Sequence, residues 1–169
     1  VPDCEDADPS PLPMHERSGI LLLGSFQHPP NVEGFRFFVR EVLPHLDPGL
    51  LERHPVYVVG HGATGEVRDL AESHTAIRLV GWVPDVTPYF HRVRCSVVPL
   101  LHGAGTKRKM LQALVHGTPT VATQVGVEGL DVVPGEHVLV ADDPAVFAAD
   151  IARLLEDEDL CRRLAAAGI

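Results

Sequence analysis

From residue 19 onward the chain alternates short, unbroken apolar runs with longer stretches whose apolar residues recur at helical spacing. Residues 20–23 are Ile-Leu-Leu-Leu closed by Gly24, the pattern of a strand buried on both faces. Runs at 55–59, 77–80, 95–99, 120–123 and 137–140 read the same way, and Gly60 and Gly81 close the first two. Between the runs, residues 31–43 carry Phe35, Phe38, Val39 and Val42 at helical spacing. Thr64 is placed to cap a helix reaching about Ser73, and Pro84 and Asp85 lead into a short helix over 86–91. Residues 106–116 predict a helix with Gly117 at its C-cap. Residues 144–155 put Val146, Ala149, Ile151 and Leu154 on one stripe, and a last helix starts near Glu158.

Six strands interleaved with six or seven helices, without an internal repeat, predict an α/β fold. The expected architecture is a Rossmann-like, doubly wound parallel sheet with helices on both faces. Ligands bind such sheets beyond the carboxyl ends of the strands, so the loops that follow the strands hold the candidate chemistry.

Residues 1–18 differ from the rest: four prolines and five acids, without apolar periodicity, read as a linker or extended arm. Residues 19–169 then form one domain, long enough to bury a real core. The start of the chain lacks the basic residues and apolar centre of a signal peptide, and no apolar run approaches the roughly 18–20 residues of a membrane span. Three scattered cysteines, Cys4, Cys95 and Cys161, suggest neither a disulfide framework nor a zinc knuckle, and a cytoplasmic setting is expected. A net charge of −9 argues against a nucleic-acid surface.

Against that acidity one basic spot stands out. Of 14 basic residues twelve are arginines, and the two lysines, Lys107 and Lys109, flank Arg108. The spot ends the run Gly103-Ala104-Gly105-Thr106-Lys107-Arg108-Lys109, between an expected strand and an expected helix. Glycines let backbone approach a ligand closely, and a helix N-terminus directs free N–H groups at it. Three cations in a first turn oppose the helix dipole, which makes sense where phosphate or pyrophosphate sits. A solvated basic turn, with glycines needed only for the bend, is the plainer alternative. The order of residues is not that of an ATP-hydrolysing P-loop.

Gly60-His61-Gly62-Ala63-Thr64-Gly65 matches the dinucleotide fingerprint in letters. The next strand, however, ends in Gly81-Trp82-Val83 instead of an acid, and Asp85 lies beyond Pro84, so the glycines read better as a tight strand-to-helix turn. The ten histidines lack the spacing of a metal site. His102, beside the glycine loop, is a candidate ligand contact, whereas His28, His61 and His116 read as structural or surface residues. Glu128, after the run at 120–123, is either a hydroxyl acceptor or a loop acid. Neither Ser25 nor Ser96 has an evident triad.

The stretch PLLHGAGTKRKMLQALVHGTPTVATQVGVEGL, from Pro99 to Leu130, resembles the signature of group 1 (family 4) glycosyltransferases. GSFQHPPNVEGFRFFVREVLP, VVGHG, VGWVPDVTPYF and EHVLVADDPAVFAADIARLL follow that family's order, so the resemblance covers about 150 residues. It implies the C-terminal, nucleotide-sugar-binding half of a two-domain GT-B enzyme, whose missing N-terminal domain would bind the acceptor. The implied reaction moves a sugar from a nucleotide diphosphate sugar, with retention of configuration and no required metal or cofactor. Nucleic acid is not implied as a partner; peripheral membrane contact would come through the missing domain. Val1-Pro2-Asp3 resembles the start of the family's interdomain linker, so the chain is expected to be half an enzyme.

By the same resemblance, Gly24 and Ser25 in the loop after the first strand belong to the donor site. Gly103, Ala104, Gly105, Thr106 and Lys107 would face the diphosphate, with Lys107 as the catalytic residue that stabilises its leaving charge. Gln112 stands where most members have a glutamate on the ribose hydroxyls, keeping an acceptor oxygen but not the charge. Val83 would lie beside the base, with Trp82 either there or in the core. The family's earlier glutamate corresponds to Ala104, and its arginine and lysine after the first strand have no counterpart in Ser25-Phe26-Gln27-His28. Those departures keep a degenerate, non-catalytic domain open, beside an NAD(P)-binding dehydrogenase domain and a GT-B epimerase or phosphorylase.

Overall fold

The computed structural model describes residues 11–103 and 108–168. Strands β1 (Ile20–Leu23), β2 (Val56–Val59), β3 (Ile77–Gly81), β4 (Cys95–Val98), β5 (Thr120–Ala122) and β6 (Leu139–Val140) form one parallel sheet in the order β3-β2-β1-β4-β5-β6. Ile20 pairs with Val56 on one side and Cys95 on the other. The chain therefore winds outward from β1 to β3, returns to the centre, and winds the other way through β4 to β6. That reversal between β1 and β4 is where a crevice opens in a doubly wound sheet.

Helices α1 (Pro29–Phe37), α2 (Pro48–Arg53), α3 (Gly65–Glu72), α4 (Thr87–Arg92), α5 (Arg108–Val115), α6 (Gln124–Val127), α7 (Pro144–Glu156) and α8 (Glu158–Gly168) cover the two faces. Alternate strand residues point to opposite sides. Ile20, Leu22, Val56, Val58, Cys95 and Val97 pack in one cluster with Phe35, Phe38, Phe147 and Ile151. Leu21 and Val59 pack in another with Val83, Tyr89, Phe90 and Ala113. Burial on both sides explains why the strands read as continuous apolar runs.

The predicted helix over 31–43 is not one helix. The α-helix ends at Phe37, and a wider π turn (Phe38–Val42) and a 3-10 turn (Leu43–His45) follow. Phe37, Phe38, Val39, Val42 and Leu43 are all buried, more than a 3.6-residue stripe puts on one face. The wider turn accommodates them, and Pro44, without an N–H, prevents a return to α-helical bonding after it. Two short helices, α2 and α6, add to the expected set. Each begins at a capping side chain: Asp47 accepts from the Gly49 N–H at 2.9 Å, and Thr123 accepts from the Gly126 N–H at 3.2 Å. Thr64 caps α3 as expected, and Gly117 follows α5 with a φ of +65°.

Residues 11–18, the described part of the expected linker, lie against the carboxyl end of α4. The Leu12 and Ser18 N–H groups donate to the His91 and Arg92 carbonyls at 3.1 Å each, and Met14 is buried. Residues 1–10 lie outside the described residues. At the amino end of β4, the buried Arg94 guanidinium donates to the Leu154 and Leu155 carbonyls at 3.3 and 3.2 Å. These are last-turn carbonyls of α7, which the helix itself leaves without partners.

Candidate donor site

Three strand ends and one helix start border an open cavity of about 490 Å³. Its walls are Leu23, Gly24, Ser25, His28 and Asn31 after β1, Val59–His61 after β2, Trp82, Val83 and Val86 after β3, and Arg108, Lys109 and Gln112 of α5. It lies beyond the carboxyl edge of the sheet, the position the fold class calls for.

The loop after β1 is held from two directions. The Gly24 N–H donates to the Val59 carbonyl at 3.0 Å, and the Phe26 N–H to the His61 carbonyl at 2.9 Å. From the α5 side, Lys109 Nζ donates to the Leu23 carbonyl at 3.1 Å and to Asn31 Oδ1 at 2.7 Å. The Asn31 amide nitrogen donates in turn to the Ser25 carbonyl at 2.8 Å. The Ser25 hydroxyl oxygen is buried without a hydrogen-bond partner among the described residues. An unpaired buried hydroxyl is costly, and one at a cavity wall suits a ligand that supplies the partner.

Of the residues singled out from the sequence, the structure brings Gly24, Ser25, Val83 and Gln112 to the one cavity. Val83 also belongs to the core, whereas Trp82 is 68% exposed and so is not a core residue. Ala104, Gly105, Thr106 and Lys107 lie outside the described residues. His102, Gly103 and Glu128 do not line the cavity. His102 Nδ1 instead meets Glu33 Oε2 at 2.6 Å, an exposed pair that ties the loop after β4 to α1. Glu128 is exposed at the end of α6. The glycines at 60–65 act as a turn: an added Cβ at Gly60 would fall 1.5 Å from the Gly24 carbonyl oxygen. Asp85, the nearest acid for a ribose in the dinucleotide alternative, accepts from the Thr87 N–H at 2.9 Å as α4 begins, and that bond holds its carboxyl below the usual range.

The sequence reading did not single out Asn31, took His28 and His61 for structural or surface residues, and treated Arg108 and Lys109 only as part of the basic spot; all five line the cavity. No local signal marks Asn31, because the lysine its side chain meets lies 78 residues away in sequence. Cys95 and Cys161 are buried and free. Burial raises both thiols, Cys161 to about 11, so neither is a ready nucleophile.

The family profile described as "Glycosyl transferases group 1" matches residues 17–157. This chain belongs to that family. A relative from Klebsiella pneumoniae, described as an uncharacterized 44.6 kDa protein in the cps region, is 26% identical over 142 residues, 78% of this chain and 36% of that protein. Among solved structures, WaaG, a glycosyltransferase involved in lipopolysaccharide biosynthesis, is 19% identical with a TM-score of 0.74, over 90% of this chain and 42% of that one. HepE of Anabaena in complex with UDP-glucose is 14% identical with a TM-score of 0.73, over 92% and 43%. At these identities the structures share the fold, the GT-B glycosyltransferase kind of Rossmann-like domain. The chain spans about a third of the curated relative and about two fifths of the solved chains. Among the described residues no helix is long and apolar enough to cross a membrane.

Proposed function

We propose that this group 1 glycosyltransferase domain binds a UDP-sugar and, joined to an acceptor-binding N-terminal domain, transfers the sugar with UDP as leaving group. The observation that carries this reading is the cavity at the sheet's reversal point with the Lys109 ammonium on its wall, on a chain of net charge −9. Transfer leaves negative charge on the diphosphate, so cations fixed beside it favour the transition state over the bound donor. Lys109 and Arg108 fill that role among the described residues, and the reading keeps Lys107 beside them. The Ser25 hydroxyl and the backbone around Gly24 suit phosphate or sugar oxygens, Gln112 a ribose hydroxyl, and the loop of Trp82 and Val83 the base. HepE of Anabaena, whose solved structures hold UDP with glucose or UDP-glucose, supports the choice of base. The reading needs no cofactor, and two free thiols suit a cytoplasmic protein.

Calorimetric titration with UDP, GDP, ADP, NAD and inorganic pyrophosphate tests it. UDP is expected to bind, and more weakly to Lys109→Ala. Binding of NAD but of no nucleoside diphosphate would overturn the reading.

A further inference from the structure

Asn31 stands at the junction of the cavity's two walls. Its side-chain oxygen accepts from Lys109 Nζ at 2.7 Å, and its side-chain nitrogen donates to the Ser25 carbonyl at 2.8 Å. The orientation follows from the partners, since an ammonium only donates and a carbonyl only accepts. Lys109 in turn reaches the last carbonyl of β1, that of Leu23, at 3.1 Å. The Asn31 backbone is fixed as well, its N–H donating to the His28 carbonyl at 3.0 Å. One amide thereby joins α5, α1 and the loop after β1.

A lysine is a compact charge on a long, flexible stem, and holding it in place before a ligand arrives removes an ordering cost from binding. The loop after β1, Ser25-Phe26-Gln27-His28, contains no lysine or arginine, and among the described wall residues the lysine and arginine, Lys109 and Arg108, both come from α5. We propose that Asn31 is a positioning residue: it holds the Lys109 ammonium toward the donor diphosphate and couples that ammonium to the Ser25 loop. Lys109 makes the charge contact, and Asn31 acts through it. The donor part of this inference rests on the UDP-sugar reading above.

The chain has only two lysines, Lys107 and Lys109, which makes ligand-free lysine acylation followed by mass spectrometry a clean measurement. In the wild-type chain Lys109 is expected to react slowly. Asn31→Ala should speed Lys109 several-fold, leave Lys107 unchanged, and weaken UDP binding about tenfold with uridine affinity within about twofold. Asn31→Asp, which retains an acceptor for the ammonium but cannot donate to Ser25, should keep Lys109 slow and still weaken UDP. Circular dichroism melts of each variant separate these effects from loss of fold. Equal Lys109 reactivity in wild type and Asn31→Ala overturns the Asn31 role alone. A reactivity difference without any UDP binding by the wild-type chain overturns the donor reading, and with it the part given to Asn31 in donor binding.

Discussion

The carbonyl oxygen of Gly24 occupies the space where a side chain on Gly60 would begin, 1.5 Å from an ideal Cβ. Gly60 also has a φ of +147°, a conformation that L side chains rarely adopt. The loops after β1 and β2 can meet only because this position lacks a side chain. Gly60→Ala is expected to cost about 2–4 kcal/mol, from overpacking together with backbone strain. A drop in urea midpoint with an unchanged slope would show it.

Arg94 is a second structural keystone, at the far end of the sheet from the cavity. Its guanidinium serves two carbonyls of α7, while Glu158, 4.0 Å away, is partly exposed. Arg94→Met takes the donor from the buried Leu155 carbonyl, while Leu154 keeps the Cys161 thiol at 3.0 Å, an expected loss of about 1–3 kcal/mol. Glu158→Gln should cost less than about 1 kcal/mol, because an ion pair reaching solvent contributes little. Thermal melts of the two variants make the comparison.

His54 gives stability a pH dependence. Burial, then the charges of Arg94 and Arg53, hold its pKa at about 4, against about 6.5 for an ordinary histidine. Its Nδ1 accepts the Gly19 N–H at 3.1 Å, which requires a neutral ring. As the pH falls below 6.5 the unfolded chain takes up a proton that the folded ring refuses until about 4. The contribution is therefore complete above 6.5 and lost toward 4. Allowing for solvent at a half-exposed ring, it is on the order of 1 kcal/mol. Denaturation midpoints of His54→Gln should change less across that window than those of the wild type.

The fold was legible because burial on both faces writes β1, β2 and β4 as unbroken apolar runs. The break in the first helix was not: Phe35, Phe38, Val39 and Val42 fit an α-helical stripe locally, and only the burial of Phe37 and Leu43 beside them shows that the turn widens. Asp47 and Thr123 were local capping signals, but α2 and α6 are too short for periodicity to reveal. In the cavity, Gly24, Ser25, Val83 and Gln112 were pointed to by the family resemblance, and the position of the strand ends alone marks only the loops that carry the first three. The reach of Lys109 to Leu23 and Asn31 crosses 86 and 78 residues of sequence, and local pattern carries no trace of it. His102 pointed the other way: next to the glycine loop in sequence, it meets Glu33 and does not line the cavity.

Gln112 invites a gain-of-affinity experiment. A carboxylate accepts from a ribose hydroxyl more strongly than an amide does. Gln112→Glu is therefore expected to tighten UDP about three- to tenfold and to leave 2′,3′-dideoxy-UDP, which lacks the ribose hydroxyls, unimproved. Equal effects on both nucleotides would remove Gln112 from the ribose.

Whether a nucleoside diphosphate occupies the cavity between Ser25 and Lys109 can be read from backbone amide NMR spectra recorded during a UDP titration. The largest shifts are expected at Gly24, Ser25, Val83, Lys109 and Gln112, with small ones around Arg94 and α7. Shifts confined to residues away from that cavity, or an unchanged spectrum at millimolar UDP, would contradict the donor-site assignment.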